Sequence, residues 1–195
     1  MSLSPPAPRR HMHTRSIVCE GFEREDGLWD IEARIIDTKT YPYDEPFRGH
    51  RDAGSHVHDM AVRLTLDSGM IVRGVEVDMA STPYNACQGA APSFQGLIGR
   101  KVGSGWRAAV SEAAGGTKGC THVRELLYVM ATVAFQAMVG WSDGDNADKR
   151  HQDSAQVQKR PHFLDGCRAW ASDGEVVVTL YPQFAVRPTD RDGAA

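Results

Sequence analysis

The chain lacks the features that would place it in a membrane, in a secretory pathway or on nucleic acid. No apolar run in the 195 residues reaches the roughly 20 that a membrane helix needs. The proline-rich residues 1–10 have no apolar segment of the kind that a secretion signal carries. With 22 Lys and Arg against 25 Asp and Glu, there is no basic excess to bind nucleic acid or an acidic membrane surface. We therefore expect a small-molecule substrate as the partner.

Cysteine is also scarce, and its spacing argues against a disulfide framework. The four cysteines are widely separated, at Cys19, Cys87, Cys120 and Cys167, in a chain long enough to bury a core without cross-links. We expect reduced thiols and a cytoplasmic protein, with two disulfides as the alternative. The composition leaves open whether the chain forms a homo-oligomer.

The length predicts one domain. Three prolines favour a disordered tail over residues 1–10, and residues 183–195 are predicted to be a second tail. The segment 11–182 between them is predicted to be a single α+β domain, and the charged, glycine-containing stretch 141–160 an exposed loop.

Alternating apolar residues predict two β-hairpins. The first joins strands 11–22 and 28–37 through an Asp-Gly turn, and the second joins strands 57–66 and 70–79 through residues 67–69. The segment 38–54 between them, rich in Pro, Gly and Asp, is predicted to be a long loop.

The rest of the chain is predicted to be mainly helical, with one strand near the end. Helices are expected over 88–99, 106–114 and 123–139; the last has apolar residues at i, i+3, i+4 and i+7. Val176 to Val178 favour a strand over 174–181. The predicted fold is therefore α+β, an antiparallel sheet of two hairpins plus a C-terminal strand, with helices packed on one face.

Cys120 and His122 stand where the longest helix begins, with Thr121 as its expected N-cap. Unpaired N–H groups and the positive end of the helix dipole favour a thiolate at Cys120. A thiolate is a metal ligand or a nucleophile, and His122 offers an imidazole nitrogen in the same turn. The alternative is that both residues are simply part of the core.

A second group of candidate ligands precedes and follows the second hairpin. In a strand, His56 and His58 point to one face and Asp59 to the other, unless a bulge changes the register. Cys87 follows the turn that contains Tyr84. Which of the two histidines is a ligand depends on a one-residue register.

These motifs, taken in order from Ser55 to Gly140, resemble iron–sulfur cluster scaffold proteins of the Isc and Nif type. The scaffold's three cysteines correspond to His56, Cys87 and Cys120, and its aspartate corresponds to His58. Gly119 replaces the scaffold's histidine before the last cysteine, and His122 lies two places later. The resemblance implies a NifU-like core over 55–140. Its histidine replacements suit zinc or a mononuclear iron better than an all-thiolate cluster.

Most of the chain also resembles an uncharacterised bacterial protein family. The motifs that carry this resemblance are Arg24 to Glu32, Asp37-Thr38-Lys39, His58-Asp59-Met60, Pro83-Tyr84 with Cys87, and Gly119 to His122. The resemblance implies a link to the catabolism of aromatic or acyl compounds.

We therefore expect a metal-dependent enzyme of small-molecule catabolism, either a C–C lyase or a hydrolase. Three ligands would hold zinc, or as the second choice iron, and leave one position open; they are chosen from His56, His58, Cys87, Cys120 and His122. Asp59, Tyr84 and Lys39 are the candidate catalytic residues. One alternative is a carrier or scaffold for a metal or an iron–sulfur cluster, and another is a metal-free binding protein.

Overall fold

The computed structural model describes residues 3–138, 158, 160, 161 and 163–186. Contacts divide the chain into two compact units, Met1–Gly140 and Trp141–Ala195, whereas the length predicts one domain over 11–182. Most of the loop predicted over 141–160, and residues 187–195 of the predicted tail, lie outside the described residues. Within the described ranges, no helix has the length and apolarity that crossing a bilayer requires.

Two hairpins form the main sheet of the first unit, as predicted. The strands described there are β1 (His13–Glu23), β2 (Trp29–Lys39), β3 (Tyr43–Glu45), β4 (Gly49–Arg51), β5 (His56–Leu66) and β6 (Val72–Ser81). The four long strands are antiparallel in the order β1–β2–β5–β6. Gly27 makes the tight turn between β1 and β2 with a φ of +79°, which residues with a Cβ rarely adopt.

One face of this sheet is apolar and covered by helix. Period-2 alternation buries the core-facing side chains of the two central strands, which are Ile31, Ala33 and Ile35 in β2 and Met60, Val62, Leu64 and Leu66 in β5. The helix α2 (Thr121–Met138) packs across this face against β1, β2 and β5. The predicted α+β arrangement, with helices on one face, is confirmed for this unit.

The helical elements of the first unit follow the predicted order. A 3₁₀ segment spans Asn85–Leu97, and α1 covers Trp106–Ala114. The helix α2 begins at Thr121, so Cys120, rather than the predicted Thr121, occupies the residue before its first turn. The buried Trp106 of α1 donates its indole N–H to the Leu127 carbonyl of α2 at 2.8 Å and so joins the two helices.

Two predicted elements are wrong. The predicted loop 38–54 contains the small antiparallel hairpin β3–β4. The predicted C-terminal strand 174–181 is instead the helix α3 (Glu175–Leu180) in the second unit. Only Val177 of the three valines is buried there, while Val176 and Val178 are exposed. β-Branched residues favour a strand only where a partner strand accepts them, and local context overrides this preference here.

Candidate metal centre

A cleft in the first unit collects five of the eight residues singled out in the sequence. It has a volume of about 580 Å³ and lies between the start of β5, the 3₁₀ segment and the start of α2. The five residues are His58, Tyr84, Cys87, Cys120 and His122, and the other lining residues are Pro83, Ala86, Gly89, Ala90, Thr117, Lys118, Gly119 and Thr121.

His58 is fixed by a buried carboxylate beneath the cleft. Its Nδ1 lies 2.9 Å from Oδ2 of Asp37, a residue that is only 1% exposed. Arg15 binds both oxygens of the same carboxylate at 2.9 Å and also contacts Glu125 of α2 at 2.7 Å. An ionised carboxylate only accepts hydrogen bonds, so Nδ1 of His58 carries the proton. Nε2 of the neutral ring then keeps a free lone pair.

The electrostatic environment keeps both partners in these states. Burial and the neighbouring His122 lower the pKa of His58, and the Asp37 carboxylate only partly offsets them. Burial alone would raise the pKa of Asp37, but the hydrogen bonds and charge of Arg15 together with His58 lower it. At neutral pH His58 is therefore a neutral imidazole held by an ionised carboxylate, the arrangement that orients histidine ligands in metal sites.

Cys120 and His122 meet at the N-terminus of α2. The Cys120 Sγ lies 3.8 Å from the His122 Nδ1. Burial raises the pKa of the Cys120 thiol, but hydrogen bonds from His122 and from the backbone N–H groups of Val123 and His122 outweigh it and lower the pKa. The His122 ring also stacks on His58, with ring centroids 3.8 Å apart and a tilt of 33°.

Three of these side chains approach the geometry of a metal site. One ligand atom from each of Asp37, His58 and His122 lies within 4.8 Å of the others. Asp37 already accepts hydrogen bonds from Arg15 and His58 on both oxygens, so it serves better as the orienting carboxylate than as a ligand. The Sγ–Nδ1 distance of 3.8 Å between Cys120 and His122 is close to the roughly 3.5 Å that two ligands on one tetrahedral zinc require.

Gly119 allows α2 to begin close to the end of α1. A Cβ at this position would lie 2.3 Å from the Ala114 carbonyl oxygen, whereas a Cβ at Gly89, on the other wall of the cleft, would meet nothing within 4 Å. A histidine at position 119, as in the scaffold proteins, would collide with this backbone.

We expect Gly119→Ala to lower the free energy of unfolding by at least about 1 kcal/mol, because backbone atoms must move to admit the methyl group. Gly89→Ala is the matched control, and it should change the free energy by less than about 0.5 kcal/mol. Urea titration of both variants measures the difference. Equal stability of the two variants would contradict the close approach.

His56 and Asp59 lie outside the cleft, and a β-bulge explains why. In the pairing of β2 with β5, Asp37 lies opposite His58 and Thr38 lies opposite His56. Val57 therefore has no partner residue in β2 and forms the bulge. The bulge turns His56 to the outer face of the sheet, and the expectation that the two histidines share a face is wrong. His56 there binds Asp59 at 3.0 Å.

Two of the proposed catalytic residues are held by other partners. The Asp59 carboxylate accepts two hydrogen bonds from Arg34, at 2.8 and 2.7 Å, on that outer face. Lys39 ends β2, and its ammonium lies 3.8 Å from the centroid of the Tyr43 ring. Neither Asp59 nor Lys39 lines the cleft. Tyr84, the third candidate, does line it and is half-exposed.

The four cysteines are free thiols. Cys87 lines the cleft with Cys120 and packs partly against the core. Cys19 on β1 also packs against the core, and burial raises the pKa of its thiol to about 11. Cys167 is exposed and belongs to the second unit.

Sequence reasoning did not predict Asp37 as the partner of His58, and it did not single out Arg15. The signal for Asp37 lies in the alternation of β2, because the residue falls on the same parity as Ile31 and Ile35, the buried face. A carboxylate on an apolar face needs a partner. Arg15 on the neighbouring strand gives no comparable signal, because its pairing with Asp37 depends on the register of β1 and β2.

Comparison with known proteins gives a family and no relative of established function. Neither the curated proteins nor the solved structures contain a significant match, and the NifU-like resemblance therefore finds no support. One family of proteins does match, over residues 13–136, a range that runs from β1 into α2 and contains the whole cleft. The chain thus belongs to the family described as protein of unknown function (DUF2889).

Proposed function

We propose that the chain is a metal-dependent enzyme acting on a small molecule, with one transition metal bound by His58, Cys120 and His122. The observation that carries this proposal is the hydrogen bond from His58 to the buried Asp37. It fixes the tautomer of His58 and leaves a lone pair on a ring that stacks on the His122 imidazole, which in turn lies 3.8 Å from the Cys120 thiol of lowered pKa. Histidines that bind a metal commonly donate their other ring N–H to a carboxylate in this way.

Each residue has a distinct role in this proposal. His58, His122 and Cys120 are the protein ligands, and Asp37, neutralised by Arg15, orients His58. Two imidazoles and one thiolate suit zinc first and iron second, and three protein ligands leave one position open for water or substrate. Cys87 lines the same cleft and would belong to the substrate pocket.

The metal would supply a Lewis acid that polarises a substrate oxygen or lowers the pKa of a bound water. Tyr84, at the cleft surface, is the candidate proton carrier, because Asp59 is engaged by Arg34 on the other face of the sheet. Hydrolysis, or cleavage of a C–C bond next to an oxygen, is consistent with these residues.

Cobalt uptake tests the ligand set. Metal-free protein, purified without an affinity metal and without oxygen, should bind one cobalt ion per chain and gain a thiolate-to-cobalt charge-transfer absorption. Cys120→Ser should abolish this absorption, because it removes the only thiolate in the proposed set. Cys167→Ser replaces an exposed thiol of the second unit and should leave it unchanged.

The other outcomes would decide against this proposal. A thiolate band that survives in Cys120→Ser would exclude Cys120 as a ligand. Iron purified together with acid-labile sulfide would favour a cluster carrier.

A second candidate is an enzyme that uses Cys120 as a nucleophile, favoured by the lowered pKa of its thiol. This function needs no metal. It predicts rapid alkylation of Cys120 by iodoacetamide at neutral pH, unchanged by zinc. The metal site predicts instead that bound zinc protects Cys120 from alkylation.

A further inference from the structure

The walls of the cleft carry one cationic side chain and no carboxylate. Among the described residues that line it there is no Asp or Glu, and Lys118 is the only Lys or Arg. The nearest acidic residue in the chain order, Glu112 of α1, is paired with Arg100 at 2.9 Å and gives Lys118 only its backbone carbonyl, at 3.3 Å. Within the described residues, no carboxylate pairs with Lys118.

The carboxylate beneath the cleft is paired. Arg15 holds both oxygens of Asp37 and also contacts the half-exposed Glu125 at 2.7 Å. With the metal of the proposed function bound, a divalent ion and one thiolate leave a net charge of about +1, to which Lys118 adds another. A ligand that enters the cleft is therefore favoured if it is an anion.

The mouth of the cleft has a different chemistry, with two exposed aromatic rings. Tyr84 lines the cleft and is 52% exposed, and Phe47, from the turn between β3 and β4, is 70% exposed. Their ring centroids lie 5.7 Å apart at an interplanar angle of 77°. Two large apolar rings left in water beside a cleft mark a surface that binds something apolar.

The hairpin that carries Phe47 is hydrogen-bonded to the main sheet, and these bonds hold the mouth of the cleft in position. The neighbouring Arg48 donates hydrogen bonds to Ser81 Oγ at 2.9 Å and to the Val57 carbonyl at 3.3 Å. Ser81 Oγ in turn donates to the His56 carbonyl at 2.9 Å. These bonds tie the turn to the ends of β5 and β6, where the cleft begins.

We infer that the cleft binds a small carboxylate with a flat apolar body, its anionic end towards Lys118 and the metal, its body against Tyr84 and Phe47. A volume of about 580 Å³ falls in the range of about 300–1,000 Å³ that small-molecule sites occupy. The inference rests on the proposed function for the charge of the metal, whereas the contribution of Lys118 and of the two rings is independent of it.

Benzoate, its neutral isostere benzamide, and acetate test this assignment by calorimetry on the full chain. In metal-free protein, benzoate should bind about fivefold more tightly than benzamide, the size expected for one partly solvated charge pair. Acetate, which lacks the ring, should bind more weakly than benzoate. Zinc should strengthen the binding of benzoate and not that of benzamide.

Two variants assign the parts of the site. Lys118→Gln should remove the preference for benzoate in metal-free protein, while Lys101→Gln, at an exposed lysine outside the cleft, should preserve it. Phe47→Ala should weaken benzoate and benzamide by the same factor. Three results would overturn the inference: neither benzoate nor benzamide binds, the two compounds bind equally well, or the preference for benzoate survives Lys118→Gln.

Failure of this inference is separable from failure of the proposed function. Protein that takes up no metal yet prefers benzoate through Lys118 would refute the metal enzyme and keep the carboxylate site. Protein that binds zinc through His58 and Cys120 yet binds none of the three probes would do the reverse.

Discussion

His58→Ala is expected to lower the affinity of the protein for zinc about 100-fold. Structural zinc sites bind the metal with a free energy of about 10–16 kcal/mol. One of four ligands therefore accounts for roughly 3 kcal/mol of binding free energy, or about two powers of ten in affinity. The loss should be this large because the His58 ring is held for coordination before the metal arrives. Its Nδ1–H is bound to Asp37 at 2.9 Å, which leaves little rotational freedom to lose on binding.

His56→Ala is the matched control for this prediction. The two histidines are two residues apart in the same strand, and only the bulge at Val57 separates their environments. His56 on the outer face should be dispensable, with zinc affinity within about threefold of the original protein, since its ring contacts Asp59 instead of the cleft. Competition with a chromophoric chelator measures both constants. Equal losses in the two variants would show that the register of β5 is different or that the site lies elsewhere.

Asp37→Asn is expected to cost about 2 kcal/mol in the free energy of unfolding and about tenfold in zinc affinity. Both carboxylate oxygens accept hydrogen bonds, one from Arg15 and the other from Arg15 and His58. An amide has only one acceptor oxygen, so its NH₂ group must face an N–H donor in either orientation. The cost stays below the 3–5 kcal/mol typical of a fully buried pair, because Arg15 is 33% exposed and is partly rehydrated.

Asp44→Asn provides the control for this substitution. Asp44 also pairs with a histidine, His50 at 2.9 Å, but the Asp44 side chain is 83% exposed. Such a surface pair contributes almost nothing, and we expect no measurable change in stability or zinc affinity. Urea titration of the metal-free proteins gives the stability difference. A stable Asp37→Asn variant with unchanged zinc affinity would mean that Asp37 neither supports the fold nor orients His58.

The strands and the long helix could be predicted because their patterns are local. Apolar residues alternate in β2 and β5 and recur every 3.6 residues in α2. These patterns predict which side of each element is buried, and the observed burial agrees. Cys120 and His122 could be placed for the same reason, since a helix start is a local feature.

The partners of His58 could not be predicted in this way. The Asp37–His58 contact depends on a bulge that shifts the pairing of two strands by one residue, and no pattern within either strand encodes that shift. The same shift sends His56 to the opposite face. The role of Arg15 depends on a third strand. Long-range register thus decides which of the candidate ligands meet.

The C-terminal valines illustrate a different limit. Val176 to Val178 have a high strand propensity, yet they form α3 in the second unit. Among the described residues of that unit, no strand is available to pair with them. β-Propensity reflects packing against neighbouring strands, so it predicts a strand only where such neighbours exist.

X-ray absorption spectroscopy at the metal edge of the zinc-loaded protein tests the central claim most directly, because it counts ligand atoms by element and distance. We predict one sulfur at about 2.3 Å and two imidazole nitrogens at about 2.0 Å, with one further light atom at the open position. A zinc shell without sulfur, or one without imidazole, would contradict the site formed by His58, Cys120 and His122.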